Sequence, residues 1–124
     1  MFTSRIVTST RALLEQNKDK LIVLKYYAKY CVQCQRVMPH YKMLMNNKQN
    51  KDKPIIFADI DINLDNKEFI ESMNIVGLPT FQLYIHGTVI DSFLCGPSNV
   101  RLLKDNVKNF ITRYINPKTN TIKS

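Results

Sequence analysis

A nine-residue run, "KLIVLKYYA" (20–28), leads almost directly into "CVQC" (31–34) and then into "QRVMPHYKMLM" (35–45). The run is nearly continuous in apolar, branched and aromatic residues, as expected of a central strand covered on both faces. After the cysteines, Val37, Met38, Tyr41, Leu44 and Met45 recur at helical spacings and predict a helix over residues 32–46. A buried strand that delivers two cysteines to the start of a helix restricts the chain to α/β architectures. Pro39 falls inside the helix, where it removes one backbone hydrogen bond and predicts a kink near Gln35.

Three chemistries suit such a pair: a redox couple, half of a metal site, or two small buried side chains. Zinc takes four ligands, and beyond the pair the chain offers only Cys95, His40 and His86, in no second paired motif. No metal site is expected. Residues three apart on a helix have β-carbons about 5–6 Å apart, against roughly 3.8 Å in a disulfide, so a modest adjustment joins Cys31 to Cys34. A helix N-terminus beside Cys31 stabilises its thiolate, which predicts an exposed attacking Cys31 and a deeper, resolving Cys34. The strand–CxxC–helix context therefore favours redox chemistry over zinc.

The remaining sequence continues the alternation of strands and helices. A short apolar segment at Ile6–Val7 precedes a helix from Thr10 to Asn17. "PIIFADIDI" reads as a buried strand, and residues 65–73 as a short helix begun by an Asp or Asn cap. "VGLPTFQLYIHGTVIDSFLCG" predicts a hairpin turning at His86 and Gly87, with Phe81, Leu83 and Ile85 on one face. Ser98 is expected to cap a helix whose stripe is Val100, Leu103, Val107, Phe110 and Ile111. The expectation is a central mixed β-sheet with helices on both faces, in one domain over residues 1–116, followed by a frayed polar tail, 117–124.

A chain of 124 residues with 44% hydrophobic content suits one such domain. Its net charge of +8 comes from 18 lysines and arginines scattered along the chain, which reads as a solvated basic surface and not as a nucleic-acid tract. No apolar run reaches the ~18 residues of a membrane span. The N-terminus "MFTSRIVTSTRALLEQ" has no apolar core of a secretory signal, and three cysteines do not make a disulfide scaffold. The expected location is cytoplasmic.

From its first residues to about Tyr114 the chain resembles a thioredoxin. "YAKYCVQC" resembles the active-site stretch of that family, Pro39 its helix-kinking proline, "VGLPT" its cis-proline loop, and Gly87 and Gly96 its two later glycines. The resemblance implies a thioredoxin fold with cis Pro79, and with Leu78 offering backbone to an extended substrate across from Cys31. Tyr30, Val32, Gln33, Leu78, Pro79, Cys95 and Gly96 are then the candidate substrate-binding residues, Cys95 lying just before the glycine that borders the groove. The implied activity is that of a protein-disulfide reductase with no cofactor beyond its own disulfide, acting on protein disulfides and fed by a thioredoxin reductase-type donor. The second reading is a thioredoxin-like module that binds clients with little redox turnover.

Four positions depart from the family pattern. Val32 and Gln33 replace Gly-Pro, and Tyr30 replaces a tryptophan. Phe57 stands where many members carry a charge near the buried cysteine, and Lys25 occupies the place of the buried aspartate. Lys25, Pro39 and Phe57 are the candidate site-tuning residues. On the strand, Lys25 is expected to snorkel to water along its methylenes, the other outcome being a desolvated base. His40 is read as a surface side chain, and Met38, Met43 and Met45 as core filler with one member exposed.

Overall fold

The computed structural model describes residues 5–7 and 9–123. Residues 1–4, part of the N-terminal stretch read for targeting, and Ser124 of the tail lie outside the described residues. Strands β1 (Arg5–Val7), β2 (Leu21–Tyr27), β3 (Ile55–Asp61), β4 (Thr80–Ile85) and β5 (Thr88–Leu94) form one sheet in the order β1-β3-β2-β4-β5. The first three pair in parallel, and β4 and β5 join antiparallel, giving the expected mixed sheet.

Alternation along each central strand divides the core in two, because successive side chains point to opposite faces. Leu21, Val23, Ile55, Phe57, Phe81, Leu83 and Ile85 face helices α2 (Val32–Met45) and α4 (Val100–Tyr114), which contribute Val37, Tyr41, Met45, Leu103, Val107, Phe110 and Ile111. Ile22, Leu24, Tyr26, Ile56, Ala58, Ile60 and Tyr84 face the other way. That layer is closed by Leu13 and Leu14 of α1 (Thr10–Gln16) and Ile70 of α3 (Lys67–Ser72).

Local chemistry sets most boundaries. Ser9 accepts the Ala12 N–H at 3.2 Å to start α1, and Asn66 accepts the Phe69 N–H at 3.0 Å to start α3, each offering a side-chain oxygen to an N–H without a helical partner. Helix α2 runs unbroken past Pro39. Gln35 and Pro39 are exposed, so the missing bond falls where water can supply a donor. At the β4–β5 turn both His86 and Gly87 have positive φ, 53° and 78°, as the two-residue hairpin of the primed type requires.

Two expectations are corrected. Ser98 does not cap α4: it lies exposed within a 3₁₀ turn, Pro97–Asn99, and Asn99 occupies the cap position without a side-chain cap bond. Pro97 sits at the first position of that turn, which its fixed φ favours, and the Asn99 side chain is already engaged, accepting the Gly96 N–H at 2.8 Å. The tail, as far as Lys123, is not frayed. Residues β6 (Ile115–Asn116) and β7 (Thr121–Ile122) pair antiparallel, Asn120 adopts a left-handed φ of 54°, and the Lys123 N–H bonds the Tyr114 carbonyl at 2.8 Å. Ile122 packs on the α2–α4 core, so a half-buried apolar side chain holds down what composition alone describes as polar.

Candidate active site

Strand β2 ends at Tyr27 and the chain turns through Ala28 to Tyr30, the Cys31 N–H closing that turn on the Ala28 carbonyl at 3.1 Å. Cys31 is the N-cap of α2, with extended backbone (φ −79°, ψ 107°), and its Sγ accepts the Cys34 N–H at 3.1 Å. The N-cap place usually goes to an oxygen; here a sulfur receives a helix-start donor. The first turn holds no acidic residue, so the partial positive charge of the helix end acts on Cys31 unopposed. Cys31 and Cys34 are joined as a disulfide with Cα atoms 5.2 Å apart, inside the usual span for such a bond. Cys31 is half-exposed, whereas Cys34 is 4% exposed. The order of access is the one the sequence predicts.

The surroundings come from two further segments. The Leu78–Pro79 peptide is cis, as the resemblance implies, and the Pro79 carbonyl accepts the Cys95 N–H at 3.2 Å. A side-chain carbon at Gly77 would lie 3.2 Å from the end of the Leu94 side chain, so the proline loop and the end of β5 approach closely, and a larger residue there would need Leu94 to give way. A carbon built at Gly96 would stand 3.7 Å from Gln33 Oε1, which brings the segment after β5 beside the dipeptide between the cysteines. The structure thus links Gln33, Gly96, Cys95 and Pro79 through neighbouring contacts. Tyr30 is 86% exposed, Val32 54%, Val76 91% and Leu94 48%, a set of apolar side chains unusually open to water for their size. Val76 and Leu94 were missed by sequence reasoning. The outward alternation of β5 and the position of Val76 in the loop before Pro79 were the available signals.

Cys95 needs correction as a groove residue. Its side chain is wholly buried and donates to the Asn99 carbonyl at 3.3 Å. Burial pushes its thiol pKa up, with a smaller opposing pull from the Leu103 backbone. It offers the surface no thiol. His40 is half-buried beside Pro39, and Met45 is buried, Met38 half-buried and Met43 exposed, as expected of core filler with one open member. Among the described residues no His, Cys, Asp and Glu side chains gather in threes or more as a metal site needs.

Lys25 overturns the snorkelling expectation. It is 1% exposed and forms an ion pair with Asp59 at 3.6 Å, its neighbour in the parallel β2–β3 register. Its ammonium also donates to Met38 Sδ at 3.5 Å and stands 5.0 Å and 5.5 Å from the ring centres of Tyr41 and Tyr27. Burial lowers the Lys25 pKa, opposed by the charge and hydrogen bond of Asp59 and reinforced by Lys42. Mid-strand and covered by α2, the side chain has no route to water. Phe57 is likewise not where the charge of the neighbouring strand belongs. It packs edge-on to Tyr41 at 5.9 Å, and the charged group is Asp59, the next residue on the same face. An aspartate within the apolar run "IIFADIDI" was the signal for it.

Fold and site together define the class: an α/β protein with a mixed sheet, whose Cys31–Cys34 disulfide opens a helix and whose Leu78–Pro79 peptide is cis, a site of the thiol–disulfide oxidoreductase kind. Residues 7–109 match the Thioredoxin family, and the chain belongs to that family. It is similar to a thioredoxin of Geodia cydonium, 31% identical over 96 residues that cover 77% of this chain and 86% of that one. A protein disulfide-isomerase of Datisca glomerata is 28% identical over 109 residues, covering 87% of this chain and 21% of the isomerase, so the chain spans about a fifth of that relative's length. Among solved structures, a thioredoxin of Plasmodium falciparum superposes with a TM-score of 0.69 at 28% identity, over 85% of this chain and 97% of that one.

Proposed function

We propose that the chain is a protein-disulfide reductase in which Cys31 attacks and Cys34 resolves. The observation that carries this reading is the division of labour at the start of α2: a half-exposed Cys31 sulfur receiving the Cys34 N–H, bonded to a buried Cys34. A thiolate at Cys31 takes the same N–H as a stronger, charge-assisted bond. It attacks one sulfur of a substrate disulfide, and the displaced substrate sulfur leaves as a thiolate that takes up a proton. Deprotonated Cys34 then attacks Cys31 Sγ, breaking the mixed disulfide, releasing the second substrate thiol and leaving the Cys31–Cys34 disulfide. Two electrons from a thioredoxin reductase-type donor restore the dithiol, and a reducing compartment such as the cytoplasm suits that cycle. Tyr30, Val32, Val76 and Leu94 supply apolar surface for an extended substrate segment, with Gln33, Leu78 and Gly96 at its border.

Insulin reduction with a dithiol donor tests the assignment. Cys31→Ser is expected to abolish turnover, and Cys34→Ser to accumulate a mixed disulfide through Cys31. Normal turnover by Cys34→Ser without a trapped species would reverse the roles, whereas binding of substrate without any turnover by the unaltered chain would favour the client-binding reading. The reduction potential then fixes the direction: about −270 mV marks a reductase and about −120 mV an oxidant.

A further inference from the structure

Lys25 and Asp59 are a costly pair for a core to hold. Their side chains are 1% and 7% exposed, and removing each charge from water costs several kcal/mol before any attraction is counted. The same layer is otherwise filled by Val23, Phe57, Phe81 and Leu83, so packing alone would be met by apolar residues.

The direction of the pair is what connects it to chemistry. Met38 and Tyr41 follow Cys34 by four and seven residues on α2, and residues so spaced stack along one side of a helix. Cys34 and Tyr41 are buried on that side. The Lys25 ammonium donates to Met38 Sδ at 3.5 Å and lies over the Tyr41 ring at 5.0 Å. The positive end of the pair is therefore pressed against the stripe that begins at Cys34, while the carboxylate comes from β3, the next strand. Among the described residues, the other charged or titratable groups that act on Lys25 or lie against it are Tyr27 on its own strand and Tyr41 and Lys42 on α2. The Tyr41 hydroxyl is occupied, donating to the Val23 and Ala58 carbonyls at 3.2 Å and 3.3 Å.

We infer that the Lys25–Asp59 pair is an electrostatic tuning device for the Cys31–Cys34 couple, in which Lys25 favours the reduced dithiol and Asp59 keeps Lys25 charged and limits its effect. The inference rests on the thiol–disulfide reading of the site. The reduced couple includes a thiolate and the disulfide carries no charge, so a positive end directed at the helix stabilises the reduced state and makes the couple more oxidising. This polarity departs from the resemblance, which places a carboxylate at the position of Lys25. Burial lowers the affinity of Lys25 for its proton and Asp59 opposes that, in keeping with the part given to Asp59.

The test compares the equilibrium of the couple with reduced and oxidised glutathione in the full chain and three variants, together with the Cys31 thiolate titration followed by ultraviolet absorbance. Lys25→Met removes the positive end. Lys25→Met with Asp59→Leu removes both charges and leaves none buried alone, which a core tolerates far better than a broken pair. Lys25→Arg keeps the charge. Expected are an equilibrium shifted about tenfold toward the disulfide in Lys25→Met, with the Cys31 pKa raised by about one unit, a smaller shift of the same sign in the double variant, where the opposing Asp59 charge is gone as well, and little change in Lys25→Arg. Equal constants across the folded variants, or an arginine variant displaced as far as the methionine ones, overturn the inference alone. An unaltered chain whose cysteines do not equilibrate with glutathione overturns the reductase reading and this inference with it.

Discussion

At the scale of single residues, three cysteines have three different fates, and exposure separates them. Cys95 is wholly buried, its thiol pKa raised by that burial and its proton directed at the Asn99 carbonyl. A buried neutral thiol is a poor nucleophile. With the Cys31–Cys34 disulfide formed, iodoacetamide at pH 8 is expected to label no cysteine in the native protein and only Cys95 in denaturant, which mass spectrometry resolves; rapid native labelling of Cys95 would return it to the groove. Cys31 and Cys34 were legible because their chemistry is set by local spacing, strand before and helix after. Asp59 was not, because its role depends on the β2–β3 register that sets it beside Lys25, and register is a property of the pair of strands. Lys25 was misread for a related reason: snorkelling needs a free edge, and whether a mid-strand position has one depends on the helix laid over it.

At the scale of elements, boundaries governed by one strong local interaction were legible and those governed by competition were not. Asn66 caps α3 and His86-Gly87 turns the hairpin as expected. At α4, Pro97 opens a 3₁₀ turn and the Asn99 side chain serves Gly96, so Ser98 never reaches the cap position its residue type suggests. The C-terminal hairpin shows the same limit. Asn116 Oδ1 accepts the Lys118 N–H at 2.9 Å, and the Asn116 carbonyl accepts the Asn120 N–H at 2.8 Å. These bonds close a turn that polar composition conceals. Ile122 is half-buried against the larger core and Lys123 Nζ reaches the Thr112 carbonyl at 3.2 Å. Partial burial of one branched side chain stabilises by about 1 kcal/mol. Ending the chain after Asn116 is therefore expected to lower the thermal midpoint by about 3–6 °C without loss of disulfide exchange. A calorimetric scan beside an insulin assay checks both, and an unchanged midpoint would show that the hairpin adds no stability.

At the scale of the whole molecule, the sheet separates two cores that share one sensitivity, to alkaline pH. Tyr41 lies in the core under α2 and α4, and Tyr26 and Tyr84 lie in the core on the opposite face. All three are nearly or wholly inaccessible to solvent. Tyr41 donates to the Val23 and Ala58 carbonyls, Tyr26 shares a 3.2 Å hydrogen bond with Thr10 Oγ1, and Tyr84 donates to Gln82 Oε1 at 2.5 Å. Burial is the leading cause that raises the pKa of each. A tyrosine whose folded pKa lies above its unfolded value of about 10 contributes stability that is intact below pH 10 and is lost as pH rises through the folded value. Lys25 acts in the other direction. Its folded pKa is lowered from 10.5, so between the two values the unfolded chain binds more protons and stability rises with pH. The Cys95 thiol, raised from 9.0 by its burial, loses stability in the same direction as the tyrosines from about pH 9; it offsets the gain of Lys25, which ends near pH 10.5, where the tyrosine losses begin to grow. Each tyrosine ionised only on unfolding removes about 1.4 kcal/mol per pH unit, so three together approach about 4 kcal/mol per unit, enough to exhaust an ordinary domain stability of about 5–15 kcal/mol within a few units. Urea unfolding at pH 8, 10 and 11 should show stability level or slightly rising to about pH 10 and falling steeply beyond it, with tyrosinate absorbance growing in step with unfolding. In Tyr41→Phe the fall above pH 10 should be shallower by about a third, after a loss of about 1–2 kcal/mol at pH 8 for the missing hydrogen bonds. Tyrosinate signal from the buried rings of a still-folded chain would show that the two cores admit the charge, and the steep alkaline limb would then be absent.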